Sequence, residues 1–223
     1  MNKIFAFDLD NTLYEHQDFV KGAYKDVAAE VEKRTRISAN DFYIKTINLW
    51  KILTSQCNHI FSDTLKEYGQ YSVDLEKQLI LVYRNHIPNI KPYYFVKEGL
   101  IMLNNFGQLA LLSDGQPSVQ RRKLSALKLE KYFDLKIYTG SLGREYYKPH
   151  SAGFKKICTQ LKVNPNEVTY IGDNPYTDFE TPKKLGMKTI RVKTGEYKSI
   201  DHISEYVDIV YDTIDLFFKS FLM

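Results

Sequence analysis

Apolar residues along this chain fall into short runs and long periodic stripes. The first run is "KIFAFD" at residues 3–8, followed by "QLALLSD" at 108–114 and "EVTYIGD" at 167–173. "KTIRVKTG" and "VDIVYD" supply two more, and "FDLKIYTG" adds a sixth. Each run is short and continuous rather than alternating, the pattern of strands buried on both faces. Helical stretches lie between most of the later runs. The order predicts an α/β fold with a parallel, doubly covered sheet.

Residues 15–90 carry a different pattern. "FVKGAYKDVAAEVEKRT", "SANDFYIKTINLWKIL", "DTLKEYGQ" and "VDLEKQLILVYRNHI" all read as helices, and no β-rich stretch interrupts them. The segment lies between the first and second core strands and is too long for an ordinary crossover. It is expected to be an inserted α-helical cap. Residues 1–14 and 91–223 then form the core, with Pro88 and Pro92 in "IPNIKPYY" marking the return.

A length of 223 residues suits one domain with an insertion, and 43% hydrophobic residues supply a sizeable core. The net charge of +4 is mild. Basic residues are scattered among acidic ones, so nucleic acid is not an expected partner. The densest basic run, "QRRKLSALKLEKYF", reads as a helix with a solvated face. Cys57 and Cys158 are too few and too far apart for a disulfide framework. Acidic residues arrive early in "MNKIFAFDLD", unlike a signal peptide, and no apolar run reaches membrane-spanning length. A reducing, cytoplasmic setting without a membrane partner is expected.

Three of the apolar runs end in acidic or small polar residues: Asp8, Ser113 with Asp114, and Asp173. Ligands of open parallel sheets bind at the carboxyl ends of strands, so these residues should share one crevice. Asp10 lies two positions beyond Asp8 and can reach the same place. Carboxylates gathered this closely are costly without a cation. All-oxygen ligands suit Mg²⁺, and no histidine cluster suggests zinc.

Lys148 precedes Pro149 in "YYKPHSAGF". A proline at an early helical position would set that lysine near a helix N-terminus. Ser113 and the amides of Asp114 and Gly115 can donate to phosphate oxygens, and Gly115 permits close backbone approach. In "GDNPYTDFE", Asp173 is the expected metal ligand and Asn174 a hydrogen-bonding helper. Asp178 is either a water-mediated metal ligand or an orienter of Lys148.

These parts assemble a phosphoryl-transfer site. Asp8 would attack phosphorus and form an aspartyl-phosphate, while Lys148 and Mg²⁺ stabilise the equatorial oxygens. Asp10 would protonate the leaving oxygen and then activate water. Those roles require Asp8 ionised and Asp10 protonated at the outset.

"DLDNTLY", "LLSDG", "YYKPH" and "GDNPYTD" resemble the four motifs of the haloacid dehalogenase-like (HAD) hydrolase superfamily. The resemblance implies a Rossmann-like core with a subfamily I-type helical C1 cap. It also implies Asp8 as nucleophile, Asp10 as acid/base, and Mg²⁺ on Asp8, the Asp10 backbone carbonyl and Asp173. Ser113, Lys148 and Asp178 match the later motifs. The middle residue of the second motif is often Asn, and here it is Asp114. The family's dehalogenases lack an aspartate at the position of Asp10, which favours phosphate chemistry here.

The expected activity is hydrolysis of a small phosphorylated metabolite. A phosphomutase of the same superfamily, or a non-catalytic phosphate-binding regulator, fits the same motifs. Candidate groups at or on the cap are Glu15, His16, Tyr24, Lys45, Trp50 and Arg84, with core packing the better reading for Trp50 and a solvated face for Arg84. His150 reads as a helix-start residue. The apolar C-terminal "IDLFFKSFLM" is suited to packing on the core or on a partner, and the oligomeric state is not encoded legibly.

Overall fold

The computed structural model describes residues 3–53, 59–200 and 205–222. Cys57 and His202 lie outside the described residues. The chain divides into two compact units, residues 1–16 with 90–223, and residues 17–89.

The first unit is built on six parallel strands: β1 (Lys3–Phe7), β2 (Gly107–Ser113), β3 (Leu135–Tyr138), β4 (Val168–Gly172), β5 (Lys188–Val192) and β6 (Ile209–Tyr211). Their spatial order is β3-β2-β1-β4-β5-β6. The chain builds outward from β1 to β3, then returns to β4 on the other side of β1. That reversal opens a crevice at the carboxyl ends of the central strands. Register aligns those ends. Phe7 pairs with both Leu111 and Ile171, so Asp8, Ser113 and Asp173 emerge within about one residue of each other.

The strands read as continuous apolar runs because both faces are covered. One face sends Ile4, Ala6, Ala110, Leu112, Val168 and Tyr170 against Phe154 and Ile157 of α7 (Ala152–Leu161). On the other, the Phe7 ring meets Phe133 and two rings of α9 (Ile214–Lys219), Phe217 and Phe218. The C-terminal apolar segment therefore packs on the sheet of its own chain.

The second unit is helical. Most of α1 (His16–Arg34) lies in it, with α2 (Ala39–Leu53), α3 (Ile60–Glu67) and α4 (Val73–Asn85). Phe19, Val20, Ala23, Tyr24, Val27, Ala28 and Val31 recur at three- and four-residue spacing on the buried face of α1. They meet Phe42, Leu65 and Leu79 from the other helices. Tyr24 packs edge-on to Phe61, and Trp50 is buried on α2. Lys45 pairs with Glu67 near the surface, and Arg84 is exposed. Helices α5 (Val96–Leu103), α6 (Pro117–Ala126) and α8 (Glu180–Lys184) complete the first unit.

Phe217 is fully buried among aromatic partners. Phe217→Ala should lower unfolding stability by about 3–5 kcal/mol. Urea denaturation followed by far-UV circular dichroism reads this, and a loss below about 1 kcal/mol would show that α9 is not part of the core.

Candidate active site

Asp8 follows β1 directly, and its backbone N–H donates to the Ile171 carbonyl of β4 at 2.9 Å. That bond carries the β ladder one residue past the strand and fixes the side chain in the crevice. Lys148 Nζ donates to Asp8 Oδ1 at 2.5 Å, to Asp178 Oδ1 at 2.7 Å and to the Tyr170 hydroxyl at 3.1 Å. Burial disfavours the ammonium, but Asp178 and Asp8 outweigh it and hold Lys148 well above its ordinary pKa.

The loop carrying Lys148 is anchored by Asp114, whose carboxylate accepts from the Lys148 backbone N–H at 3.1–3.2 Å and from Thr139 Oγ1 at 2.6 Å. The extra charge of the second motif thus serves the lysine loop. The placement of Lys148 differs from the expected helix start. Helix α7 begins only at Ala152, so Pro149 lies before it and Asp114, not a helix terminus, holds the lysine backbone.

Asp173 follows β4. Its Oδ1 accepts from Thr12 Oγ1 at 3.1 Å, while its Oδ2 is buried with no hydrogen-bond partner. Asp178 Oδ2 accepts from the Asn174 backbone N–H at 3.0 Å. Asn174 helps through its main chain, because its side-chain Oδ1 is taken by the Tyr176 N–H. Gly172 is required by this packing: a Cβ there would sit 2.4 Å from Asp178 Oδ2.

Oxygens of Asp8, Asp173 and Asp178 lie within 4.8 Å of one another. Three carboxylates share one buried ammonium, so two formal negative charges are left over if all ionise. Burial and the Asp178 and Asp10 charges, offset in part by Lys148, raise Asp8 to about 7. Burial, with Asp178 and Asp8 nearby, raises Asp173 well above the carboxylate range. A hard divalent cation fits this donor set, and the bare Asp173 oxygen is a ready ligand.

Asp10 stands apart from that cluster. Lys123 Nζ, on α6, donates to both its oxygens at 2.9 Å. Gln120 Nε2 donates to Oδ2 at 2.9 Å, and the Tyr14 hydroxyl donates to Oδ1. Burial would raise the Asp10 pKa, but Lys123 overrides it and holds the carboxyl well below its ordinary value. Without metal or substrate, the two shifts run opposite to the protonation expected at the start of the reaction. There Asp10 is held ionised by Lys123, while burial and the neighbouring Asp178 push Asp8 toward neutrality despite Lys148.

Ser113 is buried, and its Oγ accepts from Gln120 Nε2 at 2.6 Å. Gly115, at φ +114°, takes a backbone conformation that side chains disfavour. His16 Nδ1 lies 3.7 Å from Glu196 Oε1, and Glu15 accepts from the Tyr93 hydroxyl at 3.0 Å. His150 Nδ1 accepts from the Ala152 N–H at 3.1 Å, at the start of α7. Cys158 is half-buried beside the core, where burial pushes its thiol up.

The basic run of α6 corrects the solvated-face reading. Gln120 and Lys123 are only 2% and 3% exposed and point inward. Their spacing with Val119, Leu124 and Leu127 puts them on an otherwise apolar face, a signal present in the sequence. Thr12, Tyr14, Thr139 and Tyr170 were also missed, since only tertiary contacts bring their hydroxyls to the site.

Carboxylates and a lysine gathered at parallel strand ends define a phosphatase-type hydrolase. The chain belongs to the haloacid dehalogenase-like hydrolase family, whose sequence model matches residues 5–192. A glyceraldehyde 3-phosphate phosphatase of Methanocaldococcus jannaschii is 28% identical over 228 residues, covering 96% of this chain and 94% of that protein. A HAD phosphatase structure from Thermococcus onnurineus aligns with TM-score 0.68 at 20% identity, covering 100% of this chain and 98% of the other. A 2-haloacid dehalogenase from Pseudomonas syringae aligns with TM-score 0.70 at 18% identity, covering 100% and 99%. The fold accommodates both chemistries, so the choice between them lies in the side chains. No helix among the described residues is long and apolar enough to cross a membrane.

In metal-free protein, carboxyl carbon NMR should show Asp8 titrating near pH 7 and Asp10 ionised well below the usual carboxylate range. Added Mg²⁺ should move the Asp8 transition to lower pH, because a bound cation favours the charged form. An Asp8 midpoint near 4 before metal is added would contradict the burial argument.

Proposed function

We propose that the protein is a Mg²⁺-dependent phosphomonoester hydrolase acting on a small phosphorylated metabolite through an aspartyl-phosphate. One observation carries this reading: Lys148 Nζ joins Asp8 to Asp178 at the strand ends, beside the unpartnered oxygen of Asp173. A nucleophilic carboxylate, a buried cation and a vacant oxygen ligand are what transfer of a phosphoryl group to a side chain requires.

Asp8 attacks phosphorus in line with the ester oxygen. A bond forms from Asp8 to phosphorus, and the phosphorus–ester oxygen bond breaks. Asp10 gives its proton to the departing alkoxide. Water then attacks the phosphorus of the acyl phosphate, Asp10 takes up a proton from that water, and inorganic phosphate leaves with Asp8 restored. Lys148 stabilises negative charge on the phosphoryl oxygens. The Ser113 hydroxyl and the Asp114 and Gly115 amides donate to them. Asp178 orients Lys148, and the Asn174 backbone orients Asp178. The negative charge of an entering phosphate disfavours a second anion beside it, which raises the Asp10 pKa toward its acid role and lets it take up the proton it later gives. Mg²⁺ held by Asp8, Asp173 and the Asp10 backbone carbonyl would supply the charge that offsets the carboxylates and the phosphoryl group.

Similarity over nearly the whole chain to a glyceraldehyde 3-phosphate phosphatase makes three-carbon phosphates the first substrates to try. Phosphate release should be measured across triose, sugar, nucleotide and glycolate-type monoesters, with Mg²⁺ and with EDTA. Release should require the metal. Asp8→Asn should lower it at least about a thousandfold while the fold is kept. Unchanged turnover in that variant would remove Asp8 as nucleophile. Isomer interconversion primed by a bisphosphate, without sustained phosphate release, would replace the hydrolase with a mutase.

A further inference from the structure

Helix α6 places a glutamine and a lysine in an apolar setting, where methionine would fill similar space without a polar group to satisfy. Gln120 and Lys123 lie three residues apart, on one helix face beside Val119 and Leu124. A buried ammonium and a buried amide are costly unless paired, and both side chains donate to groups of the active site.

We infer that Gln120 and Lys123 are positioning residues, fixing the Asp10 carboxylate for proton transfer and the Ser113 hydroxyl for phosphate binding. The inference rests on the phosphatase reading above. Lys123 Nζ contacts both Asp10 oxygens at 2.9 Å, which sets the plane of the carboxylate. Gln120 Nε2 carries two protons and sends them to Asp10 Oδ2, at 2.9 Å, and to Ser113 Oγ, at 2.6 Å. The amide nitrogen rather than its oxygen faces Asp10 and Ser113, so both of its protons are engaged there. Ser113 Oγ then accepts from that nitrogen, and its own proton is directed elsewhere. A phosphoryl oxygen is the acceptor it would serve. One helix thus ties the acid/base group of the first motif to the phosphate donor of the second, at offsets of seven and ten residues from Ser113.

The test compares an alkyl phosphate with p-nitrophenyl phosphate. An alkoxide needs a proton as it leaves, while nitrophenolate does not. Lys123→Met should lower kcat/KM for the alkyl ester about a hundredfold and for the nitrophenyl ester less than about fivefold. The nitrophenyl ester should also show a burst of nitrophenolate, because water activation by Asp10 becomes slow. Lys123→Arg should recover part of the alkyl-ester rate. Gln120→Met should show the same split and weaken competitive inhibition by inorganic phosphate about tenfold, through loss of Ser113 orientation. Arg121→Met, exposed on the same helix, should leave both esters unchanged. If Lys123→Met fails to fold, the Lys123→Arg and Gln120→Met split decides. Equal losses on both esters, or none, would overturn the positioning role while leaving the hydrolase intact. Wild-type protein that turns over neither ester nor any member of the substrate panel would overturn the hydrolase reading, and this role with it.

Discussion

Burial of three carboxylates around a single ammonium is the constraint that the catalytic end of the sheet has to satisfy. Lys148 gives bonds to Asp8, Asp178 and Tyr170, and it has no spare donor for Asp173. The remaining negative charge can be met by protonation, which burial drives at Asp8 and Asp173, or by a cation. The site is thus electrostatically unfinished by its own residues. Such strain is stable only because the strands beneath are rigid and the surrounding polar groups are fixed by hydrogen bonds.

The sheet provides that rigidity. Asp8, Ser113 and Asp173 are carried on three adjacent strands whose register is locked by continuous parallel ladders. The loops that follow are tied to one another rather than left free. Asp114 of one loop holds the Lys148 backbone of another, and Thr12 reaches across to Asp173. Asn11, at φ +60°, turns the first loop tightly, and its carbonyl accepts from the Thr194 hydroxyl. Each anchor uses a short side chain, which limits conformational freedom at low entropic cost.

The two aspartates of "DLDNT" resolve their mutual repulsion by separation. Asp8 turns toward Lys148 and the acidic cluster, and Asp10 turns toward Lys123 and α6. The two carboxylates therefore sit in environments that push their pKa values in opposite directions, which is how one protein assigns different jobs to chemically identical groups. The direction in the ligand-free arrangement is opposite to the one that a simple reading of their roles suggests. Charge brought by substrate and cation belongs to the same balance.

The parallel, doubly covered sheet, the helical insertion and the strand-end residues are legible in the linear pattern, because burial on both faces demands continuous apolar runs and ligands gather where parallel strands end. Asp8, Ser113 and Asp173 stand out for the same reason, whereas Lys148 and Asp178 stand out only by their place in the motifs "YYKPH" and "GDNPYTD". For Lys123 and Gln120 the helical spacing gives only their place on an apolar face, and their role appears once an acidic partner is found 113 residues away in sequence. The part played by Asp114, the main-chain role of Asn174 and the hydroxyl of Tyr170 were equally hidden. Local pattern determined the elements and the chemistry they carry. Which donor meets which carboxylate, and hence each group's charge, was decided by tertiary packing, because those energies depend on distances and burial that no local stretch of sequence contains.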